Sequence, residues 1–347
     1  MNLLSFKTTF DGILETYVSQ KIEQAKKLID DKKINAFINY IETFIFSGGK
    51  RIRPYGLRIT YMWFGGTNEK AILQFGIIFE LLHSMALIHD DIIDQADKRH
   101  NALTIHSYIK TLLNDTPNAQ HIAEWQAILI WDLLLSRVYE LRFKQHDFNE
   151  KLLFEARQNV HSMIEEVILW QMIDVNMMIS EPASLSLIDK KNTYKTSSYT
   201  FVRPMLTWAI LAGANKKEQE LIKELGKYMG MAFQMRDDYL DITFGDKSKS
   251  TFSDIQEGQQ TYFTHYVFEK GTWEQQALLK SCMGKKLNEK QIKELQIMFE
   301  KSWAIAFGKQ WIMEYSQKAR EVLEHTSLNH EAKESILTII KKLEKIQ

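Results

Sequence analysis

The sequence predicts an all-α fold, one large helical bundle around a central cavity, on three observations. Just four prolines occur in 347 residues, at positions 54, 117, 182 and 204. Between them run long segments with apolar residues at three- and four-residue spacing, the period of a helix with one buried face. Two aspartate clusters of the same design, Asp90-Asp91-x-x-Asp94 and Asp237-Asp238-x-x-Asp241, lie 147 positions apart, and each is attached to such a segment.

Taken in order, residues 11–46, 70–97, 120–143, 150–180, 186–213, 217–243, 257–270 and 289–343 are predicted helical, with some expected to divide further. Breaks come at Ser47-Gly48-Gly49, at Gly65-Gly66-Thr67-Asn68, around residues 113–119, at Glu181-Pro182, and from Gly245 to Ser253. No break reads as an interdomain linker and no fixed-period repeat occurs, so a single domain over residues 1–347 is expected. The segments 72–89 and 122–135 are the most apolar, but Glu80, His83 and Asp132 interrupt them and they fall short of the ~20 residues of a membrane span. They read as buried core helices.

Lys+Arg and Asp+Glu each total 44, which gives no sign of a nucleic-acid or membrane-surface partner; an anion site must be local. The lone Cys282 excludes an intramolecular disulfide framework and a thiolate zinc site, and fits a reducing compartment. Acidic residues in the first turns replace the apolar core of a signal peptide. A cytoplasmic protein is expected.

On a helix, Asp90 and Asp94 project from one face, as do Asp237 and Asp241. Like charges at that spacing repel by roughly 0.2–0.5 kcal/mol per exposed pair, and by more where water is scarce. Accepting that penalty twice calls for something positive between the clusters. With oxygen ligands alone on offer, a hard divalent cation is the simplest candidate, and Mg²⁺ binding one or two carboxylates plus substrate phosphates fits two open clusters. Basic residues follow at Ser47-Gly48-Gly49-Lys50-Arg51-Ile52-Arg53-Pro54, where Lys50 and Arg53 share a face and suit a diphosphate, Arg as a fork and Lys as a point charge. On its own, an ordinary basic helix start explains those residues more simply. Lys195-Thr196, Arg99, Lys247 and Lys249 are further candidates for diphosphate oxygens, each equally at home on a solvated surface.

Taken together, GGKRIRP (48–54), HSMALIHDDIID (83–94) with Arg99, Thr104 and His106, WQMID (170–174), KTSSYTF (195–201) and FQMRDDYLDITFGD (233–246) resemble the trans-isoprenyl diphosphate synthases. Order and spacing match from about residue 40 to residue 265. The resemblance implies an isoprenoid-synthase bundle catalysing head-to-tail prenyl transfer. An allylic diphosphate would be held by three Mg²⁺, with Asp90, Asp94 and Asp237 as direct ligands and Asp91, Asp238 and Asp241 completing or orienting the shell. Lys195 and Arg99 would hold the allylic diphosphate; the Thr196 carbonyl and Gln234 would face the developing cation. Isopentenyl diphosphate would be bound by Lys50, Arg53 and His83, with Gln171, His100 and Lys249 as further substrate ligands. A homodimer is expected from the same resemblance.

The sequence departs from the family's pattern in three places. Two arginines and a glycine commonly follow the first cluster, whereas Arg99 is followed by His100 and Asn101. The family's EGKxT becomes Glu257-Gly258-Gln259-Gln260-Thr261, so Gln259 supplies no positive charge to the allylic diphosphate. A lysine expected four residues before Asp254 is displaced to Lys249. These losses keep open a class I terpene cyclase, which ionises a prenyl diphosphate without isopentenyl diphosphate, although a cyclase would have no use for Lys50, Arg53 and His83. A regulatory subunit would be expected to lack one aspartate cluster. Met85 and Ala86, five and four residues before Asp90, correspond to part of the floor under the growing chain. A small residue beside a flexible one predicts geranylgeranyl diphosphate as main product, with farnesyl diphosphate next.

Overall fold

A computed structural model describes residues 3–345 apart from Asn101, Asp115 and residues 244–251. The described residues are almost entirely helical, with one two-residue hairpin as their β structure. The chain divides into two compact units, residues 1–58 with 66–153 and residues 59–65 with 154–347.

The first unit holds α1 (Leu3–Lys26), α2 (Lys32–Phe46), the start of α3 (Ile52–Trp63), α4 (Glu69–Ile93), β1 (Lys98–Arg99), β2 (Ala102–Leu103), α5 (Ile105–Leu113), α6 (Ala119–Lys144) and the first turn of α7 (Glu150–Met177). The expected helix over 11–46 is two helices, because Asp31 stops the chain and caps α2, accepting from the Lys33 and Ile34 amides. α4 is the core of the unit. Phe75, Ile78, Phe79 and Leu81 are fully buried on it, each side chain contributing roughly 1.5–3 kcal/mol by leaving water. By length and composition α4 could cross a membrane, yet most of it is buried inside the protein. Phe6, Phe10 and Leu14, one turn apart on α1, fill the contact between α1 and α4. Ala123, Ala127, Ile130, Leu134 and Val138 form the buried stripe of α6, which packs on α4. α6 is apolar on another face as well, where Trp125 and Leu129 are 60% and 58% exposed.

The second unit holds the rest of α7, then α8 (Leu185–Lys191), a π-helical segment (Asn192–Val202), α9 (Arg203–Leu211), α10 (Lys216–Ile242), α11 (Ser253–Gln256), α12 (Tyr262–Lys270), α13 (Trp273–Cys282), α14 (Glu289–Lys301), α15 (Ala304–Glu324) and α16 (His330–Leu343). α10 is central, packed by the π-helical segment, α9, α12, α15 and α16. Where the periodicity predicts one helix over 186–213, the chain widens into π turns from 192 to 202. Those turns lie backbone-to-backbone against two glycines of α10. A Cβ at Gly230 would sit 2.3 Å from Ser197 Cα, and one at Gly226 would sit 2.9 Å from Val202 Cα. The predicted helix over 289–343 is three helices, broken where Trp303 takes a left-handed φ of 67° and where Asn329 caps α16. α13, which the periodicity does not reveal, starts from a reciprocal cap between Thr272 and Gln275.

Candidate active site

Both aspartate clusters lie at helix C-termini. Asp90 and Asp91 are in the last turn of α4 and Asp94 is its C-cap; Asp237, Asp238 and Asp241 are in the last turns of α10. The unpaired carbonyls at a helix C-terminus make it a negative pole, which disfavours carboxylates by about 0.3–1 kcal/mol each. Each cluster therefore carries a second electrostatic penalty beyond mutual repulsion.

In the first unit, Asp91 is buried and accepts from Arg99, whose Nε lies 2.8 Å and Nη2 2.7 Å from Oδ1. The other carboxylate oxygen, Oδ2, is buried with no partner. Burial pushes the Asp91 carboxyl up to about 6, although Arg99 draws it down. Asp90 and Asp94 are half-buried beside it. The hairpin returns Arg99 to this helix end: Lys98 pairs with Leu103, Arg99 with Ala102, and His100 turns the chain at a φ of 48°. Thr104 fastens the base by donating to the Ala96 carbonyl at 2.7 Å.

The Gly48–Arg53 element packs against that hairpin. A Cβ at Gly48 would lie 2.5 Å from the His100 ring, so a side chain there would displace the imidazole. Arg51, given no separate role by the sequence reading, anchors the element. Its Nε donates to Asp11 at 2.6 Å, Nη1 to Glu80 at 2.8 Å and Nη2 to the Ile45 carbonyl at 3.0 Å. The signal for it was Glu80, a carboxylate on an otherwise apolar helix that burial obliges to find a cation. With Arg51 fixed, Lys50 is exposed and Arg53 half-buried. His83 is held well below the usual imidazole range, by burial first and then by Arg53, Arg99, Arg51 and His100. It is neutral at neutral pH within a set of fixed cations, a setting that favours an anion. Met85 is buried and Ala86 half-buried one turn before Asp90.

In the second unit, the glycine contacts of α10 set the register of the chemistry. Ser197 lies on Gly230, and one turn further along α10 the Thr196 hydroxyl donates to Gln234 Oε1 at 2.6 Å. Gln234 in turn donates through Nε2 to Asp238 Oδ1 at 2.5 Å. Burial pushes the Asp238 carboxyl up to about 7; Lys191 and Gln234 oppose the shift, while Asp237 and Asp241 add to it. Asp237 is half-buried. Asp241 is turned toward the start of α11, its Oδ1 accepting from the Ser253 amide at 2.9 Å and hydroxyl at 2.6 Å, and its Oδ2 from the Asp254 amide at 3.2 Å. It fixes the chain that follows the acidic helix end.

Lys195 is paired with Asp174 of α7, the last residue of WQMID, and Lys191 lies 3.0 Å from the same carboxylate. Neither Asp174 nor Lys191 was singled out from the sequence; Lys191 stands in the polar run Asp189-Lys190-Lys191-Asn192, which reads as solvated. Gln171 is half-buried one turn before Asp174. Trp170 stacks on Tyr194 at 5.2 Å and 7°, joining α7 to the π-helical segment. Lys247 and Lys249 lie outside the described residues.

Among the described residues, no three His, Cys, Asp or Glu side chains meet as a ready metal cage. The residues fit a cation that shares its shell with other oxygens: buried Asp91 Oδ2 lacks a partner, and burial, with Asp237 and Asp241 beside it, pushes the Asp238 carboxyl toward neutrality.

Comparison with known proteins agrees with this all-helical frame. The polyprenyl synthetase family profile matches residues 33–299. The chain is 29% identical to a short chain isoprenyl diphosphate synthase of Methanocaldococcus jannaschii over 286 residues, covering 81% of each chain. It is 29% identical to a geranylgeranyl diphosphate synthase of Sulfolobus acidocaldarius over 252 residues, covering 71% of each. The fold is similar to a crystal structure of geranylgeranyl pyrophosphate synthase from Corynebacterium glutamicum, itself complexed with isoprenyl diphosphate and magnesium. The TM-score is 0.90 at 23% identity, covering 97% of this chain and 99% of that one. The chain belongs to the polyprenyl synthetase family. It is a trans-prenyltransferase making short-chain isoprenyl diphosphates, and the cyclase reading is not favoured.

Proposed function

We propose that the chain condenses isopentenyl diphosphate head-to-tail with an allylic diphosphate, with Asp90, Asp94 and Asp237 holding three Mg²⁺ on the allylic diphosphate. The observation that carries this reading is the placement of both carboxylate clusters at helix C-termini, where the negative helix pole adds to their mutual repulsion and a bound cation would offset both. When bound, Mg²⁺ neutralises the diphosphate and stabilises its departure. Lys195 and Arg99 hold diphosphate oxygens as fixed positive charges. Asp91 keeps Arg99 in place, and the Thr196–Gln234–Asp238 chain orients the Gln234 amide toward the developing allylic cation. Lys50, Arg53, His83 and His100 bind isopentenyl diphosphate, His83 as a neutral N–H donor. Gln171 is a further substrate contact; Lys249, the other one expected, lies outside the described residues. Attack by the double bond is followed by proton loss to the released diphosphate, so no side-chain base is required.

Geranylgeranyl diphosphate is the proposed main product, supported by buried, flexible Met85 and small Ala86 ahead of Asp90. The enzyme is proposed to be a cytoplasmic homodimer. Exposed Ile168, Met172 and Val175 form a stripe along α7, continued just past its end by Ile179, that a second copy would cover. Sedimentation of the wild type at twice the chain mass, and of Ile168→Glu at the chain mass, tests the dimer; a monomeric wild type contradicts it.

The function is tested by incubating the protein with Mg²⁺ and dimethylallyl, geranyl or farnesyl diphosphate, with and without labelled isopentenyl diphosphate. Longer labelled prenyl diphosphates are expected. Diphosphate release without elongation contradicts the proposal.

A further inference from the structure

A single buried carboxylate, Asp174, serves three donors in the second unit. Lys191 Nζ lies 3.0 Å from its Oδ1, and Lys195 pairs with its Oδ2. The Gln259 amide nitrogen, in the orientation that matches donors to acceptors, lies 3.0 and 3.2 Å from the two oxygens. Two cations on one carboxylate leave a net charge of +1. The two lysines do not carry that excess equally. The Lys191 side chain is 7% exposed and donates to the Gln260 carbonyl at 2.7 Å, whereas that of Lys195 is 24% exposed.

Lys191 ends α8 and Lys195 stands four residues on, so the two ammonium groups share one side of the chain and Asp174 lies between them. If residue 191 were apolar, Asp174 and Lys195 would form a neutral pair, and an incoming anion would have to compete with a buried carboxylate for Lys195. With Lys191 present, the carboxylate is already neutralised. The field of Lys191 also reaches Asp238 on α10. The neutral residue at 259 follows from the same arithmetic: a lysine there would place three cations on one carboxylate and leave +2 in a buried cluster, whereas the glutamine adds donors without charge.

We propose that Lys191 is a positioning residue for the anionic substrate: by neutralising Asp174 it leaves the charge of Lys195 to the allylic diphosphate, and it supplies within the cluster the positive charge that Gln259 does not. The proposal rests on the reading above in which Lys195 contacts that diphosphate.

The test uses Lys191→Met, Lys191→Arg, Gln259→Lys and the double variant K191M/Q259K in the full-length protein. K191M is expected to raise KM for the allylic diphosphate by about tenfold while leaving KM for isopentenyl diphosphate unchanged. K191R and the double variant are expected to restore it to within about threefold of wild type. Q259K alone is expected to lower Tm, and adding K191M to it to raise Tm again, a comparison that holds even if K191M alone does not fold. An unchanged allylic KM in K191M, or a folded double variant as impaired as K191M, overturns the proposal. Calorimetric binding of inorganic diphosphate with Mg²⁺, run on the same variants, separates the two claims. A wild type that binds diphosphate in a Lys191-dependent way but transfers no prenyl group defeats the functional reading alone; diphosphate binding indifferent to Lys191 defeats this one.

Discussion

Thr196 donates its hydroxyl to the Gln234 side chain at 2.6 Å, one turn of α10 beyond the place where Ser197 lies against Gly230. The contact depends on the absence of a side chain at 230. The π turns bring backbone to backbone there, and widened turns of this kind are frequent at functional sites.

Gly230→Ala would place a Cβ 2.3 Å from Ser197 Cα, a backbone atom that cannot rotate away. Separating α10 from the π-helical segment is expected to cost about 1–3 kcal/mol and to lengthen the Thr196–Gln234 contact. Denaturant unfolding should show the loss of stability, and steady-state kinetics a fall in kcat larger than any rise in KM. A variant with wild-type stability and kcat would show that the close approach is dispensable.

Arg51→Met leaves Glu80 buried without its cation and removes the anchor of the Lys50–Arg53 element. Breaking a buried pair in this way costs about 3–5 kcal/mol. Arg51→Met with Glu80→Leu should recover much of the stability, since no charge is then left buried, while Km for isopentenyl diphosphate stays raised. Equal destabilisation of the single and double variants in urea would contradict the account.

The aspartate clusters predict a pH effect on the protein without metal. Asp238 is raised in the fold to about 7 from an ordinary carboxyl value of 3.8, chiefly by burial. Between those values the folded state binds the proton that the unfolded state has lost, so this residue's contribution to stability is present below about pH 4 and lost as pH rises through about 7. Asp238→Asn should remove that loss. Its Tm relative to wild type is expected to climb between pH 4 and 7 and then level off in chelator; a constant difference would show that Asp238 is not forced toward neutrality.

The buried position of Met85 predicts control of product length. Met85→Phe adds volume ahead of Asp90 and should shift the products toward farnesyl diphosphate or shorter, as read by chromatography of the dephosphorylated alcohols. An unchanged product would remove Met85 from the floor.

Most helix positions were legible in the sequence because apolar spacing reports which face is buried, but α3, α5 and α13 lie outside the predicted segments. Chain breaks made by a capping side chain, as at Asp31, or by a left-handed residue, as at Trp303, rather than by glycine or proline were not legible, since both are local and leave the apolar spacing unchanged. The charged site was read by residue type, which proposes Asp90, Asp237 and Lys195. It did not find Arg51, Asp174 or Lys191, whose roles come from partners 29, 17 and 69 residues away: Glu80, Lys191 and Gln260. No periodicity links such pairs. The π-helical segment was likewise hidden, because the glycines of α10 it packs against read as ordinary weak points in a helix.

The most direct test of the central claim, that the acidic ends of α4 and α10 both act through Mg²⁺ on one allylic diphosphate, is calorimetric binding of an unreactive farnesyl thiodiphosphate to wild type, Asp90→Ala and Asp237→Ala, with Mg²⁺ and with chelator. Tight binding by wild type that requires Mg²⁺ and is weakened at least about a hundredfold in each variant is the predicted result, about 2.7 kcal/mol per variant. Binding that survives chelator, or that is lost in one variant and untouched in the other, would contradict it.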